Sequence, residues 1–245
     1  MGWPSLIPAL GAWVKIPAVE VVEVLASAGL DFIVLDQEHG AIDVRSITTL
    51  VAVAQQAELP AFVRVPEVSA NAVQQALDAG ADGLFIPHID NAEAARAVVR
   101  ACRFAPLGRR HGSPMTRAGR WGKLDMADFV RRANNDVTIV AQIETPQAVA
   151  AIDQIVEVEG IDAVFIGPFD LSLSSGLAED DPAFQAMVRQ VETANRGGRR
   201  LGGVAADRTT AESMSHDGYD FLMVGADVSL LGQGARAALA TGGAR

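Results

Sequence analysis

One cysteine and two lysines stand among 245 residues, and each scarcity removes a class of protein. A lone Cys102 cannot close a disulfide within the chain and fits a reducing, cytoplasmic setting. It falls mid-helix beside Arg103 with no base near it, which reads as packing rather than as a nucleophile. A Schiff-base enzyme needs a desolvated lysine aimed into its site. Lys123 follows Arg120-Trp121-Gly122 in a loop, which leaves only Lys15 for that route. Hydrophobic residues make up 49% of the chain, yet no apolar run is long enough to cross a bilayer. Residues 1–10 carry no basic stretch ahead of an apolar one, so no secretory signal is expected. A formal net charge of −10 argues against nucleic acid as a partner, because phosphate binding needs a basic surface. There is no Gly-x-Ser-x-Gly elbow, no phosphate-cradling P-loop and no His-Glu-x-x-His pair. No internal repeat stands out, and Gly242-Gly243-Ala244 reads as a frayed tail.

What the sequence does have is alternation. Short apolar runs bounded by Gly, Pro or Asp predict strands near 11–15, 31–36, 60–65, 83–87, 138–144, 162–167, 201–205 and 220–225. Most are unbroken, as in strands buried on both faces. Helices are expected between them at 18–28, 43–57, 71–79, 91–102, 146–157, 183–196, 209–216 and 227–240, with Asp43, Asn71 and Asn91 opening three of them. Eight strands alternating with eight helices imply a (β/α)8 TIM barrel, one α/β domain over 1–245. The open doubly wound sheet is the competitor, but no Gly-rich fingerprint follows the first strand. Residues 104–123, rich in Gly, Pro and Arg, form a long loop of the kind that serves as a lid or a subunit contact. Nine of the 18 arginines lie between Arg96 and Arg132, opposed there only by Asp125 and Asp128. They read either as a solvated face or as a positive rim that draws in an anionic substrate.

The polar residues that matter leave the same end of their strands. Phe32-Ile33-Val34-Leu35 ends in Asp36-Gln37-Glu38-His39-Gly40, and Ala61-Phe62-Val63 ends in Arg64. Glu144 and Asp170 stand just past two further apolar runs. In a parallel barrel these groups converge on the catalytic face. Two carboxylates side by side repel unless a hard divalent cation separates them; the alternative is that each caps the helix that follows. His39 could relay a proton near neutral pH. Arg64 could bind a carboxylate or stabilise an enolate oxygen, or could simply pair with a neighbour such as Asp36. Gly167-Pro168 lets backbone approach an anion closely.

The runs Leu35-Asp36-Gln37-Glu38-His39-Gly40, Arg64-Val65-Pro66, Ile86-Pro87-His88, Pro106-Leu107-Gly108-Arg109-Arg110, Gln142-Ile143-Glu144-Thr145 and Glu159-Gly160-Ile161-Asp162 through Ile166-Gly167-Pro168-Phe169-Asp170-Leu171-Ser172 resemble the metal-dependent (class II) pyruvate aldolases. That family includes the 4-hydroxy-2-oxoheptanedioate and 2-dehydro-3-deoxyglucarate aldolases, and the resemblance spans nearly the whole chain. It implies reversible cleavage of a 4-hydroxy-2-oxo acid to pyruvate or hydroxypyruvate plus an aldehyde. It also implies a divalent metal ion (Mg2+, Mn2+ or Co2+) on Glu144 and Asp170, with no organic cofactor. His39 and Arg64 match catalytic positions, with Asp36 beside them. Asp78 matches an aspartate that reaches the histidine across a subunit interface. Arg64, Gln142, Gly167 and Pro168 match positions lining the keto-acid site, and the family's members are commonly hexamers. Two other readings remain: a lyase acting on a malyl- or citramalyl-type coenzyme A thioester, with Arg109, Arg110 and Arg117 as contacts for the nucleotide, and a non-catalytic keto-acid-binding barrel.

Overall fold

Every apolar run read as a strand forms one, and the eight close on themselves. A computed structural model describes residues 7–195 and 198–240. The frayed tail expected at 242–244 and most of the stretch read for a secretory signal lie outside them. The strands are β1 Ala9–Val14, β2 Phe32–Asp36, β3 Ala61–Arg64, β4 Gly83–Ile86, β5 Thr138–Ile143, β6 Ala163–Ile166, β7 Arg200–Val204 and β8 Phe221–Ala226. Each pairs in parallel with its sequence neighbours, and β8 returns to β1, which makes a closed (β/α)8 TIM barrel.

Among the described residues the helices are α1 Val19–Ser27, α2 Val44–Gln56, α3 Ala70–Asp78, α4 Ala92–Cys102, α5 Met126–Asn135, α6 Pro146–Ala150, α7 Ile152–Val156, α8 Pro168–Ser175, α9 Pro182–Asn195, α10 Arg208–His216 and α11 Asp227–Leu239. Local chemistry sets their starts: the Asp43 carboxylate accepts from Ser46 N at 2.7 Å, and Asn91 from Ala94 N at 2.9 Å. Ser69, not Asn71, opens α3. The helix expected at 146–157 breaks at Ala151 into α6 and α7. Two helices escape the sequence pattern. On α5 only Phe129 and Ala133 are buried, one turn apart, so its apolar stripe is too thin to read. The eight residues of α8 open at Gly167-Pro168, a pair that looks like loop but supplies the N-cap before the helix and its first residue. No helix among the described residues is long and apolar enough to cross a membrane.

Side chains alternate along each strand. One set (Leu35, Val63, Leu84, Ile139, Val164 and their neighbours) packs outward beneath the helices. The other fills the barrel with Phe32, Phe62, Phe85, Phe165, Phe221, Val34, Val140 and Met223. Most of the rings meet edge to face, Phe85 lying 5.7 Å from Phe165 and 5.9 Å from Phe62, while Phe165 and Phe221 stack. Five phenylalanines fit because small residues stand opposite them. The Phe221 ring occupies the space that a Cβ on Gly202 would need, and Phe32 does the same at Gly11. Gly202→Ala is therefore expected to cost about 1–3 kcal/mol through overpacking, read as a lower urea midpoint at unchanged slope. An unchanged midpoint would mean that the rings are not held as described.

Candidate active site at the carboxyl ends of the strands

The alternation that buries the phenylalanines also aims the polar residues. Asp36 is two residues past inward Val34, Arg64 two past Phe62, Gln142 two past Val140, Glu144 two past Gln142, and Gly167 two past Phe165. All therefore stand above the aromatic layer at the strands' carboxyl ends.

Arg64 is buried and held on three sides. Its Nε and Nη2 donate to Asp36 Oδ1 and Oδ2 at 2.9 and 2.7 Å, its Nη1 lies 3.1 Å from Glu38 Oε2, and its guanidinium sits 4.2 Å over the Trp13 ring. Burial alone would lower this guanidinium's pKa; the bonds to Asp36 and the charges of Asp36, Glu38 and Glu144 outweigh it and raise it. Asp36, expected among the catalytic groups, has no oxygen to spare. Besides Arg64 it accepts from the Glu38 and His39 amides, each at 3.1 Å, and its Oδ2 lies 3.2 Å from Lys15 Nζ. It is fully buried, and its bonds hold Arg64 and the 37–40 turn in place. Lys15 is thus an ion-paired ammonium, the reverse of the unpaired amine that a Schiff base needs.

Glu144 is buried as well. Gln142 Nε2 donates to its Oε1 at 2.5 Å, the His88 amide to its Oε2 at 3.3 Å, and Ser174 Oγ to its carbonyl at 2.7 Å. Neither acid is a helix cap. Thr145 caps α6, accepting from Ala148 N at 3.0 Å, and α8 has no side-chain cap, leaving Asp170 in its first turn. Burial pushes the Glu144 carboxyl up to about 7, and the nearby charges of Asp170 and Glu38 add to this against the His88 amide bond. Gly167 is required here, since a Cβ on it would stand 2.9 Å from Glu144 Cγ and 3.1 Å from Oε1.

This donor set fits a hard divalent cation. It supplies two carboxylates of unlike exposure, one of them reluctant to carry charge alone, and a buried Gln142 Oε1 without a hydrogen-bond partner. Among the described residues no cluster of three or more His, Cys, Asp or Glu could hold an ion.

His39 stands on the turn after β2, 53% exposed, its Nε2 3.9 Å from Glu38 Oε2. Asp78 does not meet it within the chain. It ends α3, whose carboxyl end lies at the strand starts, and pairs with Arg110 at 2.8 Å. Glu38, Trp13 and His88 belong to the site without having been singled out. The His88 imidazole is 3.4 Å from Glu38 Oε1 and 3.9 Å from Glu144 Oε2, on a backbone with φ +57°. A non-glycine residue in that region is strained, as active-site residues often are. The same rule that picked out Arg64, the first polar residue past a strand, points to His88 after β4.

The arginine-rich stretch is not a rim of this face. Arg110, Arg117 and Arg120 line a cavity of about 930 Å³ beside Asp82, Thr138 and Asp162, at the strands' opposite ends. The 104–123 segment is therefore no lid over its own catalytic face, and Arg110 and Arg117 cannot hold a nucleotide against Glu144 of the same chain.

Burial raises the Asp36 pKa, but the Arg64 bonds and charge prevail and hold it below its ordinary 3.8. A depressed carboxyl contributes stability above pH ~4 that is lost as pH falls through the lower folded value. Asp36→Asn strands a buried guanidinium and is expected to cost about 3–5 kcal/mol at neutral pH. It should also flatten the acid limb of a denaturation profile. A wild-type acid limb in this variant would remove Asp36 from that role.

Comparison with known proteins agrees with this layout. The profile of the HpcH/HpaI aldolase/citrate lyase family matches residues 10–233. A hydroxypyruvate/pyruvate aldolase of Roseovarius nubinhibens is 39% identical over 94% of this chain and 91% of its own length. A 4-hydroxy-2-oxo-heptane-1,7-dioate aldolase of Escherichia coli is 36% identical over 97% and 92%. The crystal structure of a family member from Burkholderia cenocepacia superposes with a TM-score of 0.89 at 33% identity, covering 95% of this chain and 93% of that one. The chain belongs to the HpcH/HpaI aldolase/citrate lyase family.

Proposed function

We propose that this protein is a divalent-metal-dependent (class II) aldolase, one catalytic domain that reversibly cleaves a 4-hydroxy-2-oxo acid to pyruvate or hydroxypyruvate and an aldehyde. The observation that carries the reading is the buried Glu144 carboxylate, within reach of the Asp170 charge and at the same barrel mouth as the bonded Arg64 guanidinium. Glu144 and Asp170 would hold the ion, Mg2+, Mn2+ or Co2+. When bound, it polarises the keto carbonyl and stabilises negative charge on that oxygen.

The chain's own groups do the rest. Arg64 offers five N–H donors, of which two are bonded to Asp36, which leaves others to meet the keto acid and its developing enolate. Because Asp36 and Trp13 fix its plane, the charge is in place before the bond breaks. Gln142 positions Glu144, and Gly167 with Pro168 lets the keto acid lie close to the backbone. In cleavage, the C4 hydroxyl gives up its proton, the C3–C4 bond breaks, the aldehyde leaves, and the enolate is protonated at C3. His39 moves the hydroxyl proton. Support from Asp78 has to come from a second copy, since in one chain the two lie at opposite ends of the barrel. Exposed Leu231 and Leu239 on α11, and Met115 and Trp121 on the 104–123 segment, are consistent with a homo-oligomer such as a hexamer.

The coenzyme A reading loses two of its three proposed contacts within one chain, because Arg110 and Arg117 line the opposite end. The non-catalytic reading sits poorly with a complete set of His39, Arg64, Glu144 and Asp170.

Pyruvate release from a 4-hydroxy-2-oxo acid should need an added divalent ion and stop with a chelator; chelator-resistant turnover with borohydride trapping at Lys15 would overturn the reading. Arg64→Ala should cost about 2–4 kcal/mol of transition-state stabilisation, measured on kcat/KM. Gly167→Ala displaces Glu144 and should weaken Mn2+ binding, by calorimetry, roughly 10–100-fold, as loss of a ligand-orienting contact does.

A further inference from the structure

Strand order puts one more side chain over the catalytic mouth. β4 lies between β3 and β5, so its carboxyl end stands between Arg64, which ends β3, and Glu144, which follows β5. The residue that emerges there is His88, exposed between buried Pro87 and Ile89. Alternation along the strand would send it away from the axis. Phe85 faces the barrel interior and Ile86 the helices, and His88 is two residues past Ile86. A left-handed backbone at His88, φ +57°, reverses that direction. The ring comes back to the mouth, with Nε2 3.4 Å from Glu38 Oε1 and Nδ1 3.9 Å from Glu144 Oε2.

The surroundings hold this conformation in place. The His88 amide donates to Glu144 Oε2 at 3.3 Å, Ile89 is fully buried, and Asp90 accepts from the Thr145 hydroxyl at the start of α6. Strain fixed in this way points to a use for the side chain that it redirects. The two ring nitrogens have different neighbours. The Glu38 carboxylate only accepts, so it draws the N–H of a neutral ring to Nε2 and leaves a lone pair on Nδ1. Glu144 Oε2, already bonded to the His88 amide, stands beyond hydrogen-bond distance of Nδ1. The side chain is 63% exposed, which leaves this acceptor open to whatever occupies the mouth.

Under the aldolase reading, on which this inference rests, the keto acid spans from the Glu144 side of the mouth to Arg64 and so passes over the end of β4. Its carboxylate and keto oxygens only accept and have nothing to give Nδ1; a hydroxyl can donate. We propose that His88 is a specificity-determining residue whose Nδ1 accepts a hydrogen bond from a hydroxyl on C3 of the keto acid. The favoured three-carbon unit is then hydroxypyruvate rather than pyruvate, and the compounds cleaved are 3,4-dihydroxy-2-oxo acids. Hydroxyls of the aldehyde portion lie beyond C3, farther from the ring. A site that offers a polar partner to a substrate hydroxyl disfavours the analogue that lacks it, because the partner is then left unmatched.

The test is aldol addition of hydroxypyruvate and of pyruvate to propanal, whose chain carries no hydroxyl, by the full chain with saturating Mn2+. His88→Gly and His88→Asn both suit a positive φ and both keep the amide that holds Glu144. In His88→Gly the ratio of kcat/KM for hydroxypyruvate to that for pyruvate should fall about three- to tenfold, as loss of one hydrogen bond between neutral groups does. The fall should lie mainly in the KM for hydroxypyruvate. His88→Asn, whose Oδ1 offers an acceptor in place of Nδ1, should keep most of the ratio. Mn2+ affinity by calorimetry should be the same in both variants as in the unaltered protein. An unmoved ratio in His88→Gly, or an equal loss with both keto acids, overturns the proposal and leaves the aldolase reading standing. So does weakened Mn2+ binding in His88→Gly, which would make the imidazole a ligand of the ion. No metal-dependent addition by the unaltered protein with either keto acid sinks the aldolase reading and this inference with it.

Discussion

Closure of the parallel barrel is the constraint from which the rest follows. Once β8 pairs with β1, each strand has one face turned to the axis and one to the helices, and the two-residue side-chain period leaves no third choice. The axial positions are first aromatic, then polar. Phe32, Phe62, Phe85, Phe165 and Phe221 fill the lower barrel, and the next inward residues are Asp36, Arg64, Gln142 and Glu144. The hydrophobic plug is therefore the floor of the site. It keeps water from below and fixes the height at which the charges emerge.

On that floor the charges form two groups of opposite character. One is a satisfied cation: Arg64 is gripped by Asp36, flanked by Glu38 and stacked on Trp13. The other is a strained acid: Glu144 is raised by burial and by neighbouring acids, against the His88 amide and imidazole and the Gln142 amide. A keto acid and a divalent cation would each answer what the other group lacks, since the cation neutralises Glu144 and the substrate's oxygens take the free donors of Arg64. This electrostatic mismatch is the physical basis for reading the face as catalytic. A purely structural cluster would have settled its charges internally.

The sequence by itself determined the strands, their order and the end from which the chemistry emerges, because those depend on local alternation and on the first polar residue after each apolar run. It could also tell that Asp36, Arg64, Glu144 and Asp170 belong together. It could not tell how they divide their partners. That Asp36 spends every oxygen on Arg64, Lys15 and its own turn, that Thr145 relieves Glu144 of capping, and that His88 swings in on a strained backbone are matters of distance between residues tens of positions apart. The helices α5 and α8 stayed hidden because their burial is set by what packs against them rather than by their own pattern. The placement of the arginines was the largest surprise of this kind. A run of like charge has no direction until a loop folds, and only the return of 104–123 beneath the strand starts decided which end of the barrel it would serve.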